Sequence, residues 1–516
     1  METMLKRKII LNIHPFLFAL VSLLFIYFQA MLETSPDEIF RPFVILSLGL
    51  VLLYPLAVKF AKSWEWGGIL LTILVLGLFF QPEHFVIAST LAAFFIILCF
   101  LCFKLTKRSF LVTHVSLSLT FASFFIVAAQ IIVLLFYITP IPFSYYKAMV
   151  SRSSSNTILL PESSNTLKPD IYYIVLDGYP RADILKEIYN FDNSEFVEYL
   201  EGLGFIVPEN VRSNYPRTAL SISSTLDMQY WETISPDMDG VPFWWPAKPV
   251  MRRSRVRESL EAIGYQSISF ASDWDITDNP TVDMYIKPYP ARLTGYENYI
   301  AVTTPLKPFL TPFQNIAPVM SNEVHRHYIL NIMDNLKTIP NIDGPKFVFA
   351  HIVLPHPPIV FNEDGSPVDS SEEFYFGASM WSREDGYIAQ LEFLNDYLPP
   401  VVETIMRESK TPPIIILQAD HGSALHFSFS SLETDCLKER FSIFGAYYLP
   451  GKPLKAIPQN LTPVNLFRIV FNEYFGTKMP LLENRNYYTQ GGKMFDDMQD
   501  VTDVVGSACT FPRSTH

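Results

Sequence analysis

Three apolar runs in this chain end on side chains able to hold a cation or a phosphate. Residues 171–177 (IYYIVLD) close on Asp177-Gly178, residues 346–358 (KFVFAHIVLPHPP) carry His351 and His356, and residues 413–422 (PIIILQADHG) close on Asp420-His421-Gly422. A carboxylate placed directly after buried-type residues is costly unless it meets a cation or several donors. A glycine behind it permits the tight turn that brings an ion or phosphate close to the backbone. Asp177 as the cap of a following helix is the structural alternative. Asp420 and His421 set a hard oxygen beside an imidazole nitrogen, a pair able to ligate Zn²⁺ or Mn²⁺.

The elements that must position these residues are strands and helices in alternation. Apolar, β-rich runs predict strands at 171–177, 266–272, 346–354, 413–419 and 443–449, and amphipathic spacing predicts helices near 194–203, 254–263, 321–337, 381–408 and 463–474. The strands are continuously hydrophobic, the pattern of a mainly parallel sheet covered by helices on both faces. In such an α/β sheet, ligands sit at the carboxyl ends of the strands, where all three motifs fall.

The order of these motifs resembles the alkaline phosphatase superfamily: an Asp at the first strand end, a Ser/Thr-rich segment, a His-Pro pair after a late strand, then Asp-His-Gly. Within it the chain is similar to membrane-bound sulfatase-like transferases, namely lipoteichoic acid synthases, phosphoglycerol transferases and phosphoethanolamine transferases. The likeness covers residues 168–475 and extends to Glu439-Arg440 before FSIFGAYYLPG and to LTPVNLFRIVFNEYFG after it. It implies an alkaline-phosphatase/sulfatase-like fold and a hydroxyl or thiol nucleophile lying on a metal, which lowers its pKa and stabilises the phosphoryl transition state.

Residue by residue, the resemblance implies that Asp177, Thr218, Asp420 and His421 ligate one divalent ion, Mn or Zn, with a second Zn possible. Thr218 is the expected nucleophile, because these transferases use Thr and because it opens an apparent helix at 218–226, whose free amides help hold an anion; Thr218 as a plain N-cap is the compatible structural reading. Ser213 and Ser221 remain candidates in the segment SNYPRTALSISSTLDMQYW. The sulfatase signature that is converted to formylglycine is matched only in part at Ser213, since Tyr215 stands where Pro is expected. His356 corresponds to the histidine that contacts the transferred group or protonates the leaving oxygen, and His351 divides evenly between that role and a structural one. Arg217 and Arg440 are candidate phosphate clamps, and His426 a further metal or substrate contact. His325 and His327 lie on a predicted helix and read as surface residues.

Composition places this α/β domain beside a membrane. Of 516 residues 49% are hydrophobic and 17% charged, with mean hydropathy +0.20, too apolar for an ordinary soluble protein. Five apolar stretches, at 9–31, 43–60, 66–80, 85–103 and 110–138, predict a five-helix anchor, with a tight turn at 81–84. The third stretch is short. A removable signal peptide is not expected, given the length of the first stretch and the four that follow. Lys6, Arg7, Lys8, Lys59, Lys62, Lys104, Lys107 and Arg108 gather on one side of these crossings and Arg41 alone on the other, which puts the N-terminus in the cytoplasm and everything after residue 138 outside.

The expected organisation is therefore a transmembrane domain at 1–138, a Ser/Pro/Asn-rich juxtamembrane linker at 139–167, a catalytic domain at 168–480 and a C-terminal extension at 481–516. His114 and Gln130 in the fifth stretch read as helix–helix contacts rather than a substrate path. The net charge of −12 excludes a nucleic-acid binder. Cys99 and Cys102 lack metal-ligand neighbours, which excludes a zinc ribbon, whereas Cys436 and Cys509 are free to pair in an external domain. The function these features imply is transfer of a phosphoryl-linked head group from a membrane lipid donor to an envelope glycan, lipid or polymer outside a bacterial cytoplasmic membrane, by way of a phospho-threonine. Hydrolysis of sulfate esters or phosphodiesters by the same site, or a non-enzymatic binding module, are the alternatives.

Overall fold

The computed structural model describes residues 12–79, 109–147, 149, 157–161, 168–369, 381–491, 494–495, 498–507 and 509. The fourth apolar stretch, the turn at 81–84, Cys99, Cys102 and residues 148, 150–156 and 162–167 of the linker lie outside the described residues. The chain divides into two compact units: residues 1–140 with 289–319, and residues 141–288 with 320–516.

Among the described residues the first unit holds four apolar helices, α1 (His14–Ala30), α2 (Phe40–Ala61), α3 (Trp64–Leu78) and α4 (Ser109–Ile138). Two helices among the described residues, Pro36–Ala61 and Val112–Ile138, are long and apolar enough to cross a membrane, against the five expected, of which the fourth lies outside those residues; α1 and α3 are shorter, at 17 and 15 residues. Hydropathy starts the first stretch at residue 9, but the described helix begins at His14-Pro15; the break expected between 60 and 66 falls at Lys62-Ser63, where Lys62 is left-handed and the Ser63 hydroxyl caps the new helix. The helices are joined by polar contacts, of which the sequence singles out Gln130 alone. His14 lies within 2.7 Å of Thr72 and 3.1 Å of Ser116, and Gln130 donates to the Val21 carbonyl at 3.1 Å, a helix–helix contact as expected.

The second unit carries a six-stranded sheet in the order β3-β2-β4-β1-β5-β6. Its strands are β1 (Ile171–Leu176), β2 (Gln266–Phe270), β3 (Met284–Ile286), β4 (Lys346–Ile352), β5 (Ile414–Gln418) and β6 (Gly445–Tyr448). All run parallel except β6, which is antiparallel to β5. Central β1 is buried along its whole length, and so are β4 and β5 beside it, which is why these strands are apolar without alternation. Strand β3 is absent from the expected set, because only three half-buried residues carry it. Because β1 lies between β4 and β5, the carboxyl ends of the three strands bearing the chemical motifs are neighbours.

Three helices of this unit are α5 (Thr218–Asp227), α6 (Asn322–Leu336) and α7 (Glu384–Glu408). Helix α5 is buried at every residue although it holds hydroxyl side chains along its length and an Asp; its hydroxyls reach backbone carbonyls, as Thr225 does to Ser221 at 2.8 Å, so a polar helix can sit in the core. Helix α6 corrects one expectation. His325 is fully buried, not superficial, and its Nδ1 is bonded to Asp273. It lies on the core stripe with Tyr328, Ile329, Ile332 and Leu336, spaced by helical turns. His327, on the other face, is exposed beside Glu323. Cys436 and Cys509 form a disulfide across 73 residues of sequence.

Candidate metal and phosphoryl-transfer site

Each strand end delivers one part of the site. After β1 the chain turns at Gly178, with φ +74°, and a Cβ there would meet Trp381 at 2.8 Å, so only glycine lets Asp177 sit at the strand tip under that ring. No helix begins within reach of an Asp177 cap, since the next one starts at Ala182 behind Arg181. After β5 the chain enters Asp420-His421-Gly422, where a Cβ on Gly422 would stand 2.1 Å from the Glu439 carbonyl. Arg217 is extended and α5 begins directly behind it, so Thr218 is the first helical residue rather than the cap.

Four side chains converge. His421 Nε2 lies 3.0 Å from Thr218 Oγ1, 3.4 Å from Asp177 Oδ1 and 3.3 Å from Asp420 Oδ2. The other ring nitrogen, Nδ1, is 3.0 Å from the Gly422 carbonyl and must donate its proton there, so neutral His421 keeps its lone pair on Nε2. A lone pair thus faces two carboxylate oxygens. Asp177 Oδ1 and Asp420 Oδ2 are buried and have no hydrogen-bond partner, while their sister oxygens do: Asp177 Oδ2 meets His351 Nε2 at 3.1 Å and Asp420 Oδ1 accepts from the Gly178 amide at 3.3 Å.

This arrangement fits a divalent cation. Without one, burial pushes the Asp420 carboxyl up to about 7, aided by the charge of Asp177, and burial likewise raises Asp177. Burial holds His421 far below the usual imidazole range, with Arg440 and His356 adding to the effect. Two carboxylate oxygens, an imidazole nitrogen and a hydroxyl form a mixed oxygen and nitrogen set suited to Zn²⁺ or Mn²⁺, and the orphaned oxygens are the ones such an ion would satisfy.

The remaining expected residues fall into distinct places. His351 is buried between Asp177 and Thr277, whose hydroxyl lies 2.8 Å from its Nδ1. It holds Asp177 in orientation, and burial lowers it to about 4, so it serves as a neutral donor. Its Thr277 partner carries no sequence signal. His356 is half-buried, with its ring 4.9 Å from Trp381 and 6.0 Å from His421; Asp177, His356 and His421 form one grouping with ligand atoms within 4.8 Å of one another, and Asp177, His351 and Asp420 form another. Its Nδ1 faces the Pro357 carbonyl at 2.5 Å, which places the lone pair of the neutral ring on Nε2. Burial lowers its pKa.

Arg217 and Arg440 are buried and bind carbonyls. Arg217 reaches the Gly491 carbonyl and Thr489, with Phe429 3.9 Å beneath the guanidinium. Arg440 donates to the carbonyls of Pro216 at 2.8 Å and Gly422 at 2.9 Å, and so pins the segment before Thr218 to the one after His421. Burial draws the two down to about 9 and about 10. His426 has an exposed side chain and stands outside the clustered ligand atoms. Ser213 and Ser221 lie 3.2 Å apart, and the Ser213 hydroxyl is within 2.5 Å of the Asp420 carbonyl and 2.6 Å of the Tyr215 carbonyl. Thr218, not either serine, is the hydroxyl beside His421, and Ser213 is committed to holding the loop together.

No protein-family model and no curated protein matches the sequence. Among solved structures the chain is similar to the C-terminal periplasmic domain of EcEptC from Escherichia coli, with 10% identity and TM-score 0.43 over 67% of this chain and 97% of that one. It is also similar to the phosphonate monoester hydrolase of Agrobacterium radiobacter, with 11% identity and TM-score 0.38 over 62% and 80%. A third likeness is to the integral membrane lipooligosaccharide phosphoethanolamine transferase A of Neisseria meningitidis, with 13% identity and TM-score 0.35 over 84% and 88%.

Proposed function

We propose that this chain is a metal-dependent transferase that moves a phosphoryl-linked head group from a membrane lipid to an acceptor hydroxyl on a glycan, lipid or polymer outside the cytoplasmic membrane. The observation that carries the reading is the convergence of Thr218 Oγ1 with His421 Nε2 and two partnerless buried carboxylate oxygens, from Asp177 and Asp420. Asp177, Asp420, His421 and Thr218 would hold the ion, which when bound lowers the pKa of the threonine hydroxyl and offsets charge on the phosphoryl oxygens. Thr218 Oγ1 then attacks the donor phosphorus, a bond from Oγ1 to phosphorus forms, and the bond to the lipid oxygen breaks. In the second half the acceptor hydroxyl attacks the phospho-threonine and frees Thr218.

Neutral His356, with its Nε2 lone pair, takes the proton that Thr218 Oγ1 gives up in the first half and passes it to the leaving lipid oxygen; in the second half it takes the proton of the acceptor hydroxyl and returns it to Thr218. The guanidiniums of Arg217 and Arg440 bond carbonyls rather than carboxylates, so their charge remains available to attract a phosphate. An anchor in the bilayer raises the effective concentration of a lipid donor, and the loop charges orient the catalytic unit outward. Hydrolysis uses the same residues with water as acceptor. A formylglycine sulfatase is disfavoured by the bonds that commit the Ser213 hydroxyl.

Elemental analysis of the purified full chain tests the reading. Wild type carries one equivalent of Zn or Mn, Asp420→Ala carries none, and Thr218→Ala keeps the metal but turns over no lipid donor. A wild-type chain that stays metal-free when Zn²⁺ and Mn²⁺ are supplied overturns it.

A further inference from the structure

The segment 289–319 leaves the catalytic unit at Pro288, packs with the first unit, and returns at Met320. It is fastened where two apolar helices emerge. In its helix Gly295–Thr303, Tyr296 donates to the Leu23 carbonyl at 2.6 Å and its ring packs on Tyr27, while Tyr299 donates to Gln29 at 3.1 Å. Glu297 is paired with Arg41 at the start of α2, and Arg41 also donates to the Arg292 carbonyl at 3.0 Å. Tyr296 and Ile300 share one apolar cluster with Leu23, Ile26, Tyr27 and Ile39, against which Leu134 near the end of α4 also packs. The turn from α1 to α2 carries Glu33, Ser35, Asp37 and Glu38, a polar link between apolar helices, which marks this end as a boundary between hydrocarbon and water.

Beyond the docked helix, the stretch Lys307–Ile316 (KPFLTPFQNI) exposes large apolar side chains. Phe309 is 65% exposed, Phe313 55% and Ile316 51%. Its base is closed by the Ala291 amide on the Ile316 carbonyl, at 2.8 Å. A soluble loop has no reason to hold two phenylalanines and an isoleucine in water around one lysine, whereas aromatic and aliphatic groups with a flanking cation are the composition of a segment lying in a lipid interface. The surface of α2 that begins at the same end is also apolar and open, from Phe40 through Ile45, Leu48 and Leu52.

We propose that residues 302–316 are an interfacial loop whose Phe309, Phe313 and Ile316 enter the outer leaflet, with Lys307 at the head-group level. The occupant of this surface is bilayer lipid. The loop ties the chain of the catalytic unit to the membrane a second time, apart from the segment after α4. The proposal rests on the membrane reading of the first unit, and the test separates the two.

Full-length protein in nanodiscs, with Cys99→Ala and Cys102→Ala and the Cys436–Cys509 disulfide kept, is labelled with an environment-sensitive fluorophore at Phe309→Cys, Phe313→Cys, Leu52→Cys or Leu454→Cys. Lipids carrying a quencher near the head group or deep in the acyl chain are then compared. Labels at 309 and 313 lose more than half their emission to the shallow quencher, the label at 52 does so to the deep one, and the label at exposed Leu454 loses none. Quenching at 52 with none at 309 and 313 overturns the loop proposal and leaves the membrane reading standing. No quenching at 52 removes the membrane reading, and the loop proposal with it. If a labelled variant misfolds, hydrogen exchange of the unsubstituted protein replaces it: slow exchange across 307–316 in nanodiscs is expected, and exchange as fast as that around Leu454 overturns the proposal.

Discussion

Glu439→Gln replaces one carboxylate oxygen by an NH₂ group, and its cost can be worked from its surroundings. The Glu439 carboxylate is fully buried and accepts from four donors: Oε1 from the Ser423 hydroxyl at 2.7 Å, the Leu425 amide at 2.6 Å and the Tyr189 hydroxyl at 3.3 Å, and Oε2 from the His426 amide at 2.9 Å. It thereby fixes the turn that follows Asp420-His421-Gly422. A glutamine has one acceptor oxygen. With that oxygen in the Oε1 position, its NH₂ faces the His426 N–H; flipped, it faces the Leu425 N–H and crowds Ser423. At least one charge-assisted bond is lost, and the rest become neutral, a cost of roughly 2–3 kcal/mol. For a domain of this size, at roughly 2 °C per kcal/mol, melting should fall by about 4–6 °C. The assay is thermal unfolding of the full chain in detergent, followed by near-ultraviolet dichroism, with exposed Glu433→Gln as the control that does not move. A melting curve for Glu439→Gln that overlays the wild type would refute the claim that this carboxylate organises the turn.

Three further outcomes are expected from the same geometry. Gly422→Ala places a methyl group 2.1 Å from the Glu439 carbonyl; the backbone must shift, so the variant loses metal binding or fails to fold, at a cost of about 4 kcal/mol or more, and normal metal content would contradict the close approach. Arg440→Lys cannot reach the carbonyls of Pro216 and Gly422 together, and loses roughly 2–4 kcal/mol of stability in chemical denaturation. In the metal-free protein the Asp420 carboxyl is raised from 3.8 to about 7, so the folded chain holds a proton that the unfolded chain releases, and stability falls as pH rises across that window. Bound metal takes the place of that proton, so apparent metal affinity weakens as pH falls below about 7; calorimetric affinities that stay constant between about pH 5.5 and 7.5 would contradict this.

The strand ends are legible in sequence because their signal is local. Asp177, His351 and Asp420-His421 each lie at or near the end of an apolar run, and burial of that run on both faces of a parallel sheet is what makes it continuous. The pairing of β1 with both β4 and β5, which brings those ends together, is a long-range fact that no window of sequence contains. The arginines illustrate the difference. Arg217 and Arg440 have the right chemistry for a phosphate, but their donors are directed at carbonyls that only the folded chain presents. His325 reads as a surface residue by its type, whereas its spacing with Tyr328, Ile332 and Leu336 places it on the buried stripe; position outweighs type there because Asp273 satisfies its Nδ1. In the first unit, hydropathy brackets the break at Lys62-Ser63 between the stretches 43–60 and 66–80, but does not place the start at His14. The docking of 289–319 on α1 and α2 is invisible for the same reason as the sheet order: it joins residues far apart in sequence.

The central claim is that Thr218 becomes covalently phosphorylated in a metal-dependent step, and peptide mass spectrometry tests it most directly. The full chain is incubated in vesicles with a phospholipid donor and no acceptor, quenched in acid, and digested. The expected result is that the peptide holding Thr218 gains the mass of the phosphoryl head group, that fragmentation assigns it to Thr218 rather than Ser213 or Ser221, and that chelator or Asp420→Ala abolishes it. Head-group transfer that proceeds with the adduct on another residue, or unaffected by Thr218→Ala, would contradict it.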